Sequence, residues 1–312
     1  MTGVLTLLVG STMVGLHGHR PLHWLADRRI DPTILLTGWI LSTVGLVVSA
    51  VATIGLFALP ADNHPATGIF GLAGGCWTAL SSGYLPGWRE GAAALSVVGA
   101  AGIVLRIGWA TAVWHRRRQG HAPHVAQLRL LAAGKPSTEP LWVRDNRPLA
   151  MSIGGRPGVI LMSDGLRDHL TPEAVAATLE HERAHLRGRH HVLIAIVDIL
   201  AAALPAVPLL RSAPSAIRDL IELAADAQAA RRCGPAAVRE ALSQLTGQPA
   251  SPVGLAMAGR LTQARLTRLA TSSFPANRAV RFAGSSAVAA AALVLPAAAG
   301  WLALNVVGCV VA

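Results

Sequence analysis

Residues 171–191 read TPEAVAATLEHERAHLRGRHH, and the way this stretch folds decides what the chain can be. Thr171 can cap free backbone amides, Pro172 suits the first helical position and Glu173 suits the positive end of the dipole. A helix is therefore predicted to open here and to run through Ala174, Val175 and Leu179 past His185. On that helix His181 and His185 are four residues apart, about one turn, and share a face. Both imidazoles can then reach one Zn²⁺, while Glu182 stands beside the site as general base for a water attacking a peptide carbonyl. That reading makes Glu182 the catalytic residue and one zinc ion per chain the cofactor. The plainer alternative is a helix with two incidental surface histidines.

A catalytic zinc takes three protein ligands, and two residues compete for the third place. His191 completes the spacing HExxHxxGxxH over residues 181–191, provided the helix ends at Gly188. The following HVLIAIVDILAAAL holds no helix breaker, and a continuing helix would carry His191 away from the metal. The second candidate is Glu222 in IELAADAQAARR, which reads as a helix with Glu222 and Asp226 on one face. Glu222 is the preferred third ligand, with Asp226 supporting a ligand from behind; an ordinary amphipathic helix with solvated acids is the bland reading of the same segment. Upstream, Leu141–Val143 and Gly158–Met162 are short apolar runs bounded by turn residues and read as strands of a small sheet.

The surroundings point to a membrane. Of 312 residues, 52% are hydrophobic and only 14% charged, whereas soluble domains carry about a quarter charged residues. Thr2 to Leu16 reads as a first span and not a removable leader, Thr33 to Leu59 as a second, Gly91 to Val113 as a third interrupted by Arg106, and Phe282 to Ala312 as the last. Pro65 to Trp88 is rich in Gly and Ser and is open between a span and a loop. His191 to Leu210 is expected as a helix buried against the spans. The net charge of +11 comes from 27 Lys and Arg against 16 acids, with Lys135 the only lysine. Arg20, Arg28 and Arg29 follow the first span, Arg116 to Arg118 follow the third, and Arg268, Arg278 and Arg281 precede the last. That asymmetry places the N-terminus outside and residues 115–281 in the cytoplasm. The arginines serve as topology determinants and not as a stacking, phosphate-reading surface, so direct nucleic-acid binding is not expected. Cys76, Cys233 and Cys309 are isolated and support neither a disulfide framework nor a cysteine zinc site.

The expected fold is thus an integral membrane protein, mainly α, a multi-span helical bundle with an inserted α+β zincin-like protease domain. Its regions are residues 1–114 with about three spans, 115–281 as the cytoplasmic peptidase, within which 191–210 is membrane-associated, and 282–312 as a C-terminal transmembrane helix.

With HERAH on a helix, ELAAD downstream, GVILMSDGL before the motif helix and flanking spans, the chain resembles the gluzincin membrane proteases. Within them it most resembles the BlaR/MecR type of metallopeptidase. The resemblance implies His181, His185 and Glu222 as zinc ligands and Glu182 as base. It implies that the strand Gly158–Met162 binds substrate as an added β-strand, and that the substrate is a cytoplasmic or membrane-proximal protein such as a transcriptional repressor. In relatives an arginine downstream of the glutamate can stabilise the oxyanion, a role the resemblance gives Arg268; a basic face near the bilayer is the plainer reading of Arg265 and Arg268. With the chain ending at Ala312, the C-terminal penicillin-binding sensor domain is expected to be lacking. The HtpX and CAAX-processing branch, with a quality-control or processing role, is the close alternative. A non-catalytic membrane signalling protein with a relic zinc motif, and a channel drawing on Arg106 and Asp198, are the rivals from other classes.

Overall fold

The computed structural model describes residues 2–28, 30–58, 88–119, 139–156, 158–246, 255–271 and 282–288, with 290, 291, 294, 298 and 301. The chain is mainly helical. Helices α1 (Thr2–His17), α2 (His19–Asp27) and α3 (Pro32–Ala58) open it. The Asp31 carboxylate accepts from the Thr33 amide at 2.8 Å, which satisfies a free donor at the start of α3. Helix α4 (Trp88–Gln119) follows and ends in Arg116, Arg117 and Arg118.

Among the described residues, Pro32–Val51 is the one helix long and apolar enough to cross a membrane by length and composition; Thr6–His17 and His190–Ala203 are shorter apolar helices. The expected third span lies within α4, where Arg106 does not turn inward but stands exposed, between exposed Leu105 and Trp109. Residues 65–87 and nearly all of the expected last span beyond 288 lie outside the described residues.

A three-stranded sheet comes next, of β1 (Pro140–Val143), β2 (Ala150–Ile153) and β3 (Val159–Ser163), in the order β1-β3-β2. β1 runs parallel to β3 and β2 antiparallel to it, with Ser152 opposite Ile160. This corrects the expectation that the strand Gly158–Met162 receives substrate. Its backbone is paired on both sides and all five residues of β3 are buried, so the edges are β1 and β2, and β2, where no strand was expected from the sequence, is the edge strand that meets α6.

The short α5 (Gly165–His169) leads into α6 (Pro172–Arg187), the motif helix. The Thr171 hydroxyl accepts from the Ala174 amide at 3.3 Å, as the cap requires. Thr171 also donates through its amide and hydroxyl to the Glu240 carboxylate, at 3.0 and 2.9 Å. Helix α7 (His190–Ala203) stops at Leu204, and α8 (Pro208–Cys233) starts after a turn. The single helix expected over 191–210 is therefore two helices. Asp198 on α7 takes a two-pronged contact from Arg218 of α8, both at 2.7 Å, which removes it as an unpaired charge for a channel. Helices α9 (Pro235–Thr246) and α10 (Leu255–Ala270) complete the described domain.

Helix α8 joins the parts. Its first half shares a core with the N-terminal helices, through Leu209, Ile217 and Ile221 against Leu22, Leu36 and Trp39. Its second half packs through Ala229 and Ala230 against Ala177 of α6, Val238 of α9 and Leu269 of α10. The regions 1–114 and 115–281 thus share one hydrophobic core across their boundary. A third cluster, of Ile160, Met162, Leu166, Leu170, Ala174 and Ala241, fastens the sheet to α5, α6 and α9. Burial of this kind contributes about 25 cal/mol per Å² of apolar surface, and it fixes α6 between β2 and α8, the two elements that face the site.

Candidate metal centre

Helix periodicity puts His181 and His185 on the face of α6 that meets α8, and Glu222 comes from the facing turn of α8. The Nε2 atoms of the two histidines are 3.0 Å apart. Glu222 Oε2 is 3.5 Å from His181 Nε2, and Oε1 is 3.5 Å from His185 Nε2. One ligand atom from each of the three residues lies within 4.8 Å of the others. Two donors on one tetrahedral zinc, with bonds of about 2.0–2.1 Å, stand roughly 3.3 Å apart, so the spacing and the N, N, O donor set suit this ion.

Each histidine is held from behind. Asp226, one turn after Glu222, has Oδ1 2.9 Å from His181 Nδ1, so a His181 that binds metal keeps its proton on Nδ1 and offers the Nε2 lone pair to the ion. His185 Nδ1 lies 3.0 Å from His190 Nδ1, and a His185 that binds metal through Nε2 donates from Nδ1 to that ring. Arg265 on α10 grips Asp226 with Nε at 2.6 Å and Nη2 at 2.8 Å, and its Nη1 is 3.3 Å from Glu222 Oε2. Two carboxylates against one guanidinium leave an excess negative charge in a largely buried place, which a cation compensates.

The proton affinities follow from this arrangement. Burial alone would lower the His181 pKa, but the hydrogen bonds to Asp226 and Glu222 carry it up to about 9. A metal entering the site must therefore displace a proton from His181. Burial would raise both acids, yet the hydrogen bond from His181 brings Glu222 to about 2, and Arg265 with His181 bring Asp226 to about 2. Burial and the neighbouring His181 charge lower His185 to about 4. Glu182 alone among the acids here is shifted upward, by burial, against the opposing influence of His181 and hydrogen bonds from the Ser152 hydroxyl and amide. An upward shift strengthens a carboxylate as a base. Because the Ser152 amide is turned toward Glu182, the edge of β2 that faces away from β3 borders the site.

A cavity of about 220 Å³ opens here, lined on one side by His181, Glu182, Glu222, Asp226 and Arg265, and on the other by Ala177 and, from α9, Val238, Ala241, Leu242 and Leu245.

Of the residues singled out from the sequence, the structure gathers His181, Glu182, His185, Glu222 and Asp226 in one place. It does not bring His191 or Arg268 there. The motif helix does end after Arg187, with Gly188 as its cap and Arg189 in the left-handed region at φ 48°, contrary to the expected continuous helix. A Cβ on Gly188 would collide with the His190 ring, so this glycine lets His190 fold back onto His185. His191 turns the other way and rests against Gly154, where a Cβ would strike its ring. Arg268 donates to the Ala26 and Ile30 carbonyls at 3.2 and 3.1 Å, tying α10 to the α2–α3 connection; the arginine at the site is Arg265, one turn earlier. Ser152, His190 and the role of Arg265 escaped the sequence reading. The doubled histidine after Gly188 was the one signal for His190, and no spacing marks an arginine so far from Glu222.

No solved structure matches the chain. Residues 125–242 match the family model of peptidase family M48, a segment that runs from before the sheet into α9 and contains His181, Glu182, His185, Glu222 and Asp226 but not Arg265; the part of the chain that builds the site is similar to that family of metallopeptidases.

Proposed function

We propose that the chain is a membrane-anchored zinc endopeptidase that cuts a cytoplasmic or membrane-proximal protein. The observation that carries this reading is the convergence of His181, His185 and Glu222 on one point, with each histidine braced from behind and Glu182 beside them. Bound by that trio, Zn²⁺ supplies Lewis acidity for the attack of water on a peptide carbonyl.

The chain's own residues do the rest. Glu182 takes the proton of the attacking water on its carboxylate and passes it to the leaving amine, a role that its place in the cavity wall beside His181 and Glu222 favours. Asp226 and His190 hold the two imidazoles in the tautomer and orientation that present Nε2. Arg265 holds Asp226 and Glu222 in place and, as a positive charge lining the cavity, is the arginine positioned to stabilise an oxyanion. A substrate peptide adds to the outer edge of β2, beside Ser152 and Ala150, which brings a backbone carbonyl against Glu182. The side chain next to the cut enters the aliphatic half of the cavity, so a medium-sized apolar residue is preferred there.

Membrane anchoring is supported by α3 and by the large apolar side chains exposed on α1, α3 and α4, including Leu16, Val48, Val51, Leu95 and Leu105. The arginine asymmetry supports a multi-pass chain with its peptidase part in the cytoplasm. A regulatory role, with a transcriptional repressor as substrate, follows from the sensor-transducer resemblance. The test compares the proteomes of cells carrying the native protein and Glu182→Gln. A fragment produced only by the native protein supports the reading and names the substrate; identical cleavage by Glu182→Gln refutes it.

A further inference from the structure

On the far side of α6 from the metal centre, a cleft of about 540 Å³ opens between the end of that helix, the start of α7 and the β2–β3 turn. Arg156, Arg183, Arg187 and Arg189 line it together with His191 and Val192, and none of its lining residues is acidic. Among the described residues Arg183 and Arg187 meet a carboxylate at buried Glu180, which accepts from Arg183 at 2.8 Å and Arg187 at 3.0 Å and pairs with Arg232 at 3.0 Å. One carboxylate among three arginines orients the Arg183 and Arg187 stems without cancelling the charge of the cleft, and Arg156 and Arg189 are exposed. Arg189 also occupies a left-handed backbone position that glycine would adopt without strain.

We propose that this cleft binds the phosphate of an anionic phospholipid, fastening the end of the catalytic helix at the membrane surface. Guanidinium forks match phosphate oxygens in pairs, and the surroundings select an amphiphile over a free ion. Val192, at the rim, and Ile196, one turn on along α7, are 41% and 48% exposed, and they continue the cleft as an aliphatic strip. A neighbouring cavity, which on its inner side reaches His185 and His190, shares the walls Leu186 and His191 and adds Arg118 from the last turn of α4. Further back along α4, Leu105 and Trp109 stand 73% and 62% exposed. A headgroup at the arginines would thus leave its acyl chains against apolar surface already facing outward. The inference rests on the membrane part of the proposed function and is independent of the zinc chemistry.

The test uses the full chain purified in a neutral detergent, titrated in separate arms with phosphatidylglycerol, phosphatidylcholine and inorganic phosphate, with bound lipid counted by native mass spectrometry. One phosphatidylglycerol per chain is expected to be retained saturably, phosphatidylcholine is not, and inorganic phosphate displaces the lipid only in large excess. Replacing Arg156 and Arg189 together by Gln should weaken retention about 10- to 30-fold. Arg156→Gln alone, in an exposed turn outside any strand or helix, should weaken it about fivefold and covers the case in which the double variant does not fold. Retention unchanged in these variants, or equal retention of phosphatidylcholine, overturns the proposal. Displacement by equimolar inorganic phosphate would make this a free-phosphate site and overturns it too. A chain recovered from cells without detergent would remove the membrane reading by itself, since the lipid titration is read on the purified protein.

Discussion

Replacing Asp226 by Asn keeps the size of the side chain and removes its charge. Asp226 is 3% exposed, accepts from His181 Nδ1 at 2.9 Å and binds Arg265 through two contacts of 2.6 and 2.8 Å. The amide would lose a charge-assisted partner on both sides. His181 would no longer be held with its proton on Nδ1, and Arg265, left with Glu222 at 3.3 Å as its remaining carboxylate partner here, would compete with the metal for that ligand. Changing a partner behind a metal-binding histidine typically costs 10- to 100-fold in metal affinity. With both effects in play the upper end applies, so zinc affinity should fall about 100-fold, close to 2.7 kcal/mol. The assay is competition against a chromophoric chelator at neutral pH, with the native chain and the variant side by side. A zinc affinity within about twofold of the native value would show that Asp226 does not brace His181, and the relay from Arg265 through Asp226 to the metal ligand would be wrong.

Four more outcomes follow from the same geometry. His190→Ala should lower zinc affinity by about tenfold, while His191→Ala should leave it unchanged; the reverse result in chelator competition would restore the His191 reading. Arg265→Ala should abolish cleavage, whereas Arg268→Ala, which removes donors to the Ala26 and Ile30 carbonyls, should cost stability by about 1–3 kcal/mol in denaturant melts and spare turnover. Burial raises Glu182 of the metal-free protein above its usual 4.5, so its carboxyl, followed by infrared-detected titration, should take up its proton above that value; uptake below pH 4.5 would show that the carboxylate is not the desolvated group described here. In the metal-free protein His181 is raised from 6.5 to about 9, so its stabilising contribution is complete below pH 6.5 and is lost as pH rises through 9. Thermal melts of metal-free protein should therefore fall across that window, and zinc-loaded protein should not follow them.

What could be read from the sequence was local. HERAH needed only helical periodicity, and Thr171-Pro172-Glu173 needed only cap chemistry, so the motif helix could be laid out before any tertiary information. The ELAAD segment carried the same periodicity, which put Glu222 and Asp226 on a single face. What escaped depended on the chain returning to itself. Ala150–Ile153 is four residues long and one of them, Met151, is exposed, so its apolar pattern is weak; it becomes an edge strand through pairing with β3. The break at Gly188 and Arg189 needs no proline, because two residues suffice to reverse the chain and aim His190 backward. Arg265 reaches the site through the packing of α10 on α8, a contact between segments 39 residues apart at Asp226, and its neighbour Arg268 looked equivalent in sequence. The comparison with known families reaches peptidase family M48 and not the sensor-transducer branch.

The central claim is that three side chains from α6 and α8 hold a single catalytic zinc. Metal analysis of the detergent-purified full chain, native and with His185→Ala, tests it most directly. One zinc per native chain and none in His185→Ala is the expected result. A native chain without stoichiometric zinc, or a His185→Ala chain that keeps it, would contradict the assignment of the site.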